Sequence, residues 1–225
     1  MEGSDTMVLR VRVWSEGTAP RSVYPEDIRG AVAAFLKEDD NIEVTTGTFI
    51  DDEQGVSEAD IANVDVLVWW GHLLHRNVFD VTVERIVRHV RERGMGFVAL
   101  HSAHMSKPFT TLIGSSGTIG GWKHDAGPEE IAVLEPRHPV AEGVSNMTLG
   151  EEEMYDEPFD IGTPETVVFH STFPEGHQIR SGLAYTIGAG RVFYFRPGHE
   201  ENPTFYLPEI QRVVKNAVYW TAKQV

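Results

Sequence analysis

The chain of 225 residues contains no cysteine. Disulfides, iron–sulfur clusters, thiolate metal sites and a cysteine nucleophile are therefore excluded. The absence also fits a reducing compartment. Positive charge is scarce: 19 Lys and Arg stand against 34 Asp and Glu, for a formal net charge of −15. Such a field repels phosphate backbones and anionic membrane surfaces, and no run of Lys and Arg interrupts it. Neither nucleic acid nor a membrane is expected as a partner. Long apolar runs are missing too. The longest, Val64 to Trp70, contains Asp65 and is far too short to span a bilayer. Met1 to Thr6 is polar and lacks the basic, apolar and small-residue zones of a signal peptide. It reads as a disordered leader before a single domain running from Met7 to Val225, and a cytoplasmic location is the default expectation. There is no internal repeat and no low-complexity segment.

What is present is an alternation of short β-branched runs with helical patterns. Val8 to Trp14 alternates apolar and polar residues as a strand does. Ile28, Val32, Phe35 and Leu36 then recur at helical spacing, with Pro25 near the start. Ile42 to Phe49 is a second strand. Val64 to Trp70 is a third, apolar enough to be buried on both faces, which points to a parallel sheet. Val83, Ile86, Val87 and Val90 make the next helix stripe, ended by Gly94, and Phe97 to Leu100 is another buried strand. This order predicts an open α/β sheet with helices on both faces. Later strands are expected over Ile131–Leu134, Thr148–Tyr155, Thr166–Ser171, Leu183–Ile187 and Arg191–Phe195, the last two joined by a tight turn at Gly188–Gly190. A final helix carries Ile210, Val213, Val214 and Ala217. The expectation is one mixed sheet, mostly parallel at its centre.

Ligands of open α/β sheets bind beyond the carboxyl ends of the strands. Three such ends hold five of the ten histidines: Gly71-His72-Leu73-Leu74-His75, His101-Ser102-Ala103-His104, and Arg196-Pro197-Gly198-His199-Glu200. Imidazole is the commonest metal ligand, and both H-x-x-H pairs would face one way on a helical turn. The plainer alternative is that these histidines cap strands and bond backbone. Glu151, Glu153 and Tyr155 would share a face of one strand, where a carboxylate suits a metal or a proton, or simply forms a solvated acidic edge. Gly114–Gly121 lacks the spacing of a phosphate loop and reads as a mobile flap. Trp69, Trp70, Trp122 and Tyr155 offer flat faces on which sugar rings stack, although aromatic residues mostly fill cores. His138-Pro139 reads as a turn and His89 as a solvent-facing helix residue. His124, His170 and His177 have no informative spacing.

Several separate blocks resemble the trehalose-utilisation (ThuA-like) family: Trp69-Trp70-Gly71-His72, Leu100-His101-Ser102-Ala103-His104, His138-Pro139-Val140-Ala141-Glu142-Gly143, Glu152-Glu153-Met154-Tyr155 and Phe193-Tyr194-Phe195-Arg196-Pro197-Gly198-His199-Glu200. The resemblance runs from about Met7 to Trp220. It implies a flavodoxin-like, class I glutamine amidotransferase-like three-layer sandwich with a central, mostly parallel sheet. It puts His101 where amidotransferases carry their nucleophilic cysteine, or Ser102 if the alignment shifts by one. His199-Glu200 then falls at the H-x-E pair and Gly71 at the oxyanion-hole glycines. Without the cysteine, covalent glutamine hydrolysis is unavailable. The family name implies sugar metabolism, of disaccharides such as trehalose and their keto-sugar derivatives.

Together these readings predict a divalent metal, zinc first, in an enzyme that isomerises or hydrolyses a sugar-like small molecule. The expected metal ligands are His101 and His199, with His72, His104 and Glu153 as further candidates. His101, His199, Glu153 and His104 form the expected catalytic set, with Glu153 or His104 moving the proton. Trp70, Gly71, Tyr155, Arg196 and Trp122 are expected to bind substrate. Two alternatives stay open: a metal-free acid–base site, and a sugar- or partner-binding module without turnover. A homo-oligomer is compatible with the sequence, which singles out no interface.

Overall fold

A computed structural model describes residues 8–225; the expected leader, Met1 to Thr6, lies outside them. A nine-stranded sheet carries the fold. Its strands are β1 (Leu9–Ser15), β2 (Ile42–Thr48), β3 (Val66–Trp70), β4 (Gly96–Leu100), β6 (Pro128–Val133), β7 (Met147–Glu151), β9 (Thr166–Thr172), β10 (Gln178–Ile187) and β11 (Gly190–Phe195). β5 (Gly121–Lys123) and β8 (Met154–Asp156) form a separate antiparallel ribbon. The order of the large sheet is β2-β1-β3-β4-β11-β10-β9-β6-β7. From β2 to β11 neighbours run parallel, and from β11 to β7 they run antiparallel.

The pleat divides β3 between two cores, as a side-chain period of two requires. Val66, Val68 and Trp70 pack with α1 (Asp27–Leu36) and α5 (Pro208–Thr221) on one face. Leu67 and Trp69 pack on the other with α2 (Glu58–Ile61), α3 (Asp80–Arg93) and α4 (Lys107–Ile113). β3 and β4 are buried throughout, which explains their near-continuous apolar sequence. α3 ends where expected, because Gly94 adopts the left-handed conformation (φ 77°) that other residues resist.

Three expectations need correction. Thr148–Tyr155 is not one strand. The chain leaves the large sheet after Glu151 and joins the β5–β8 ribbon at Met154. Between them the consecutive residues Glu152 and Glu153 are both buried, which an alternating strand facing one core does not allow. His89 is not solvent-facing: it is buried, with Nε2 2.9 Å from Glu58 Oε1. The Gly114–Gly121 segment, expected to be a flap, is tied down. Gly117 N–H donates to Asp160 O at 2.8 Å and Gly120 N–H to Asp156 O at 2.9 Å. A Cβ on Gly117, whose φ is 72°, would lie 1.9 Å from His104 O. Ahead of it, α4 escaped sequence reading because it is only seven residues long. Its start is nonetheless marked by Ser106, whose Oγ accepts from Phe109 N–H.

Candidate functional site

β3, β4 and β11 are adjacent and parallel, and their last residues are in register: Trp70 beside Leu100, and Leu100 beside Phe195. Their following loops therefore leave the sheet at the same edge and level. One ligand atom each from His72, His101, Glu153 and His199 falls within 4.8 Å of the others. His101 immediately follows β4 with a φ of 56°, in the left-handed region that non-glycine residues seldom occupy. A strained residue at a sharp strand-to-helix turn is how a nucleophile elbow presents its side chain above a sheet edge. Here the side chain presented is an imidazole, and Ser102 is the next residue along.

Three of the four donors are aimed by a neighbour, while His199 Nδ1 accepts from Glu201 N–H at 3.2 Å. His101 Nδ1–H donates to Arg196 O at 3.3 Å, which leaves Nε2 facing Glu153 Oε2 at 3.4 Å and the Tyr155 hydroxyl at 3.3 Å. The Trp70 indole stacks on the His101 ring at 6.1 Å. His72 Nδ1–H lies between the two oxygens of Glu200, at 2.7 and 2.8 Å, and this too frees its Nε2. Imidazole held at one nitrogen by a carboxylate or carbonyl is the usual outer support of a metal-binding histidine. Glu153 is fixed through its main chain, where Arg196 Nη1 donates to Glu153 O at 2.5 Å. Its Oε2 is buried without a hydrogen-bond partner, an orphaned acceptor that suits a cation. His101 and His72, each with one ring nitrogen left facing the group, beside a carboxylate, supply a donor set that fits a divalent ion of the zinc type.

The charges agree with that geometry. Burial pushes the His101 imidazole down, against the pull of Glu153. Burial would also lower His72, but its contact with Glu200 outweighs this and raises it. Burial alone would raise Glu153, and it is lowered only to the extent that the facing His101 carries a proton.

Not every expected residue joins the group. His104 stands outside it, in an aromatic cage of Tyr155, Phe159 and Tyr194, with Nδ1–H donating to Gly117 O at 2.6 Å. His75 also points away, its Nδ1 3.8 Å from Glu16 Oε1, so the H-x-x-H spacing of His72 and His75 does not bring both rings to one ion. Arg196 is fully buried, bonded to Glu129 and 3.5 Å from Glu152 Oε2, so it positions Glu153 rather than meeting solvent. Gly71 backs onto Glu16 and His75. Tyr155 lies inside the group, its hydroxyl 2.5 Å from Ser102 Oγ. Trp122, directly opposite Tyr155 in the β5–β8 ribbon, is exposed.

Sequence reading passed over two supporting carboxylates. Glu16 follows β1, accepts from Leu73 N–H at 2.7 Å and Leu74 N–H at 2.9 Å, and so shapes the loop that carries His72. The strand-end rule, applied to β1 as well, would have found it. Glu200 lay inside a motif already noted, but its pairing with His72 spans 128 residues and has no local signal.

A sequence model of the ThuA family, described as trehalose utilisation, matches residues 10–221. No curated protein matches the sequence. Among solved structures, a ThuA-like protein from Bacteroides uniformis has a TM-score of 0.69 at 14% identity, covering 98% of this chain and 94% of that one. A glutamine amidotransferase from Thermotoga maritima has a TM-score of 0.63 at 12% identity, covering 96% and 99%. A β-galactosidase from Bacillus circulans has a TM-score of 0.59 at 13% identity over 94% of this chain but 31% of that one. At these identities the likeness is one of fold, and it makes the chain an α/β protein of the glutamine amidotransferase-like type. Among the described residues no helix is long and apolar enough to cross a membrane.

Proposed function

The chain belongs to the ThuA family of trehalose-utilisation proteins, and from that premise we propose that it is a metal-dependent enzyme acting on a sugar or keto-sugar. The observation that carries this reading is the convergence of His72, His101, Glu153 and His199 from four separate loops. Three imidazoles and one carboxylate favour zinc among common divalent ions. A bound ion would polarise a sugar hydroxyl or carbonyl, or lower the pKa of a water, and so serve an isomerisation or a hydrolysis. Glu153 is placed to hold the ion, its Oε2 buried without a hydrogen-bond partner and facing the group. The Tyr155 hydroxyl, between Ser102 and His101, is placed to hold a proton or orient a substrate oxygen. Trp122 offers an exposed ring for stacking beside it. The cytoplasmic location and the absence of nucleic-acid and membrane partners remain part of this reading. The test is His101→Ala. Tight, stoichiometric zinc uptake is expected in the parent and lost in the variant, and retention in both would refute the ligand assignment.

A second reading keeps the substrate class and omits the ion. It is favoured by the His101–Glu153 pair itself, Nε2 to Oε2 at 3.4 Å, which could work as an acid–base dyad. Turnover insensitive to chelators, with a bell-shaped pH profile, would select it.

A further inference from the structure

Three of the four inner ligands are hard to reach, and His72 alone is partly open, its side chain 20% exposed. His101 is 0%, His199 4% and Glu153 5% exposed. A hydrated cation must shed most of its water to arrive there, and dehydration is costly unless replacement ligands are met on the way. A second group of donors stands at the surface beside them. His124, just after β5, and Glu201 are 44% and 54% exposed, with Nε2 and Oε2 3.0 Å apart. Their ligand atoms and one of His199 all lie within 4.8 Å of one another. His199 thus belongs to both groups. Its ring centroid is 5.1 Å from that of His72 on the inner side and 5.1 Å from that of His124. Asp125 Oδ2, 2.9 Å from His124 Nδ1, holds that ring from behind.

We propose that His124, Glu201 and His199 form a surface capture site for a divalent cation, from which the ion passes to the buried ligands by exchange around the shared His199. One imidazole does not ordinarily serve two ions at once, so the two positions are alternatives, and occupancy stays near one ion per chain. The net charge of −15 draws cations toward the surface, and the exposed donors replace water ligands one at a time. This proposal rests on the metal reading of the inner site, but its outer half can be tested alone.

The experiment uses the full chain and zinc with a chromophoric chelator as competitor. In the His124→Ala/Glu201→Gln variant both uptake and release should slow by about tenfold or more, while the equilibrium affinity stays within about twofold of the parent, since the inner ligands are intact. Both substituted side chains are exposed, so the fold is expected to survive, and a thermal melt checks this. In a His72→Ala/His101→Ala background one weaker zinc should remain, and adding His124→Ala should remove it. Unchanged rates in the first variant, or no residual zinc in the second background, would overturn the capture site. Zinc binding in the parent that is weak and is lost on His124→Ala alone would refute the inner metal reading instead while leaving the outer triad standing.

Discussion

Replacing His104 with Phe separates a structural histidine from a functional one. The ring sits among Tyr155, Phe159 and Tyr194 at centroid distances of 5.2, 5.2 and 5.9 Å, a cage that accepts a phenyl group. What is lost is the hydrogen bond to Gly117 O at 2.6 Å. An orphaned buried carbonyl costs about 1–3 kcal/mol, so the variant should be less stable by that amount at pH 7. The pH dependence moves the other way. Burial pushes His104 from 6.5 down to about 3. Between those values the unfolded chain holds a proton that the folded chain refuses, so stability falls as pH falls through that window. From pH 7 to pH 5 this amounts to roughly 2 kcal/mol for His104 alone. His75, pushed down to about 4 mainly by burial, adds a loss of the same sign. His72 and His124 are raised and oppose it. Urea titrations of chelator-treated protein at pH 7 and pH 5 give the measurement. The parent should lose roughly 2 kcal/mol more than His104→Phe over that interval, so the gap between them narrows, closes or reverses. Parallel losses would show that His104 is protonated in the folded state and that its burial has been misjudged.

Other substitutions follow from the same contacts. Arg196→Met leaves Glu129 and Glu152 buried without their shared cation; Glu129 is already pushed up to about 7 by burial and by the Glu152 charge. Urea unfolding should show a loss of about 3–5 kcal/mol, partly recovered in Glu129→Gln/Arg196→Met, whereas strictly additive losses would deny the coupling. Gly117→Ala forces a Cβ to within 1.9 Å of His104 O at a φ of 72°, and thermal melts should show destabilisation well beyond the roughly 1 kcal/mol of an ordinary glycine replacement. Glu200→Gln removes the charge that orients His72 and should weaken zinc affinity by about 10–100-fold in competition titrations with little change in melting temperature.

The parallel half of the fold was legible because its signals are local. Val64–Trp70 and Phe97–Leu100 read as strands buried on both faces, and they are β3 and β4, lying side by side at the centre. The end of each strand then pointed to the loops of His72, His101 and His199 without any knowledge of contacts. The break at Glu152-Glu153 was not legible. The contact found there, Arg196 donating to Glu153 O from 43 residues away in sequence, has no local signal. The exclusion of His104 from the group was equally hidden. A regular 3-10 turn stacks residues i and i+3 on one face, but His101 enters the His101–Met105 turn at positive φ, and the two rings part. His124 gave no spacing signal because its partners, His199 and Glu201, come from the far end of the chain.

The central claim is that His72, His101, Glu153 and His199 hold one divalent ion. Elemental analysis of untagged protein prepared without chelator or nickel resin, beside His101→Ala, tests it most directly. The account predicts about one zinc or similar ion per chain in the parent, with the tightly held ion lost in the variant. No metal in the parent, even after incubation with excess zinc, would contradict it.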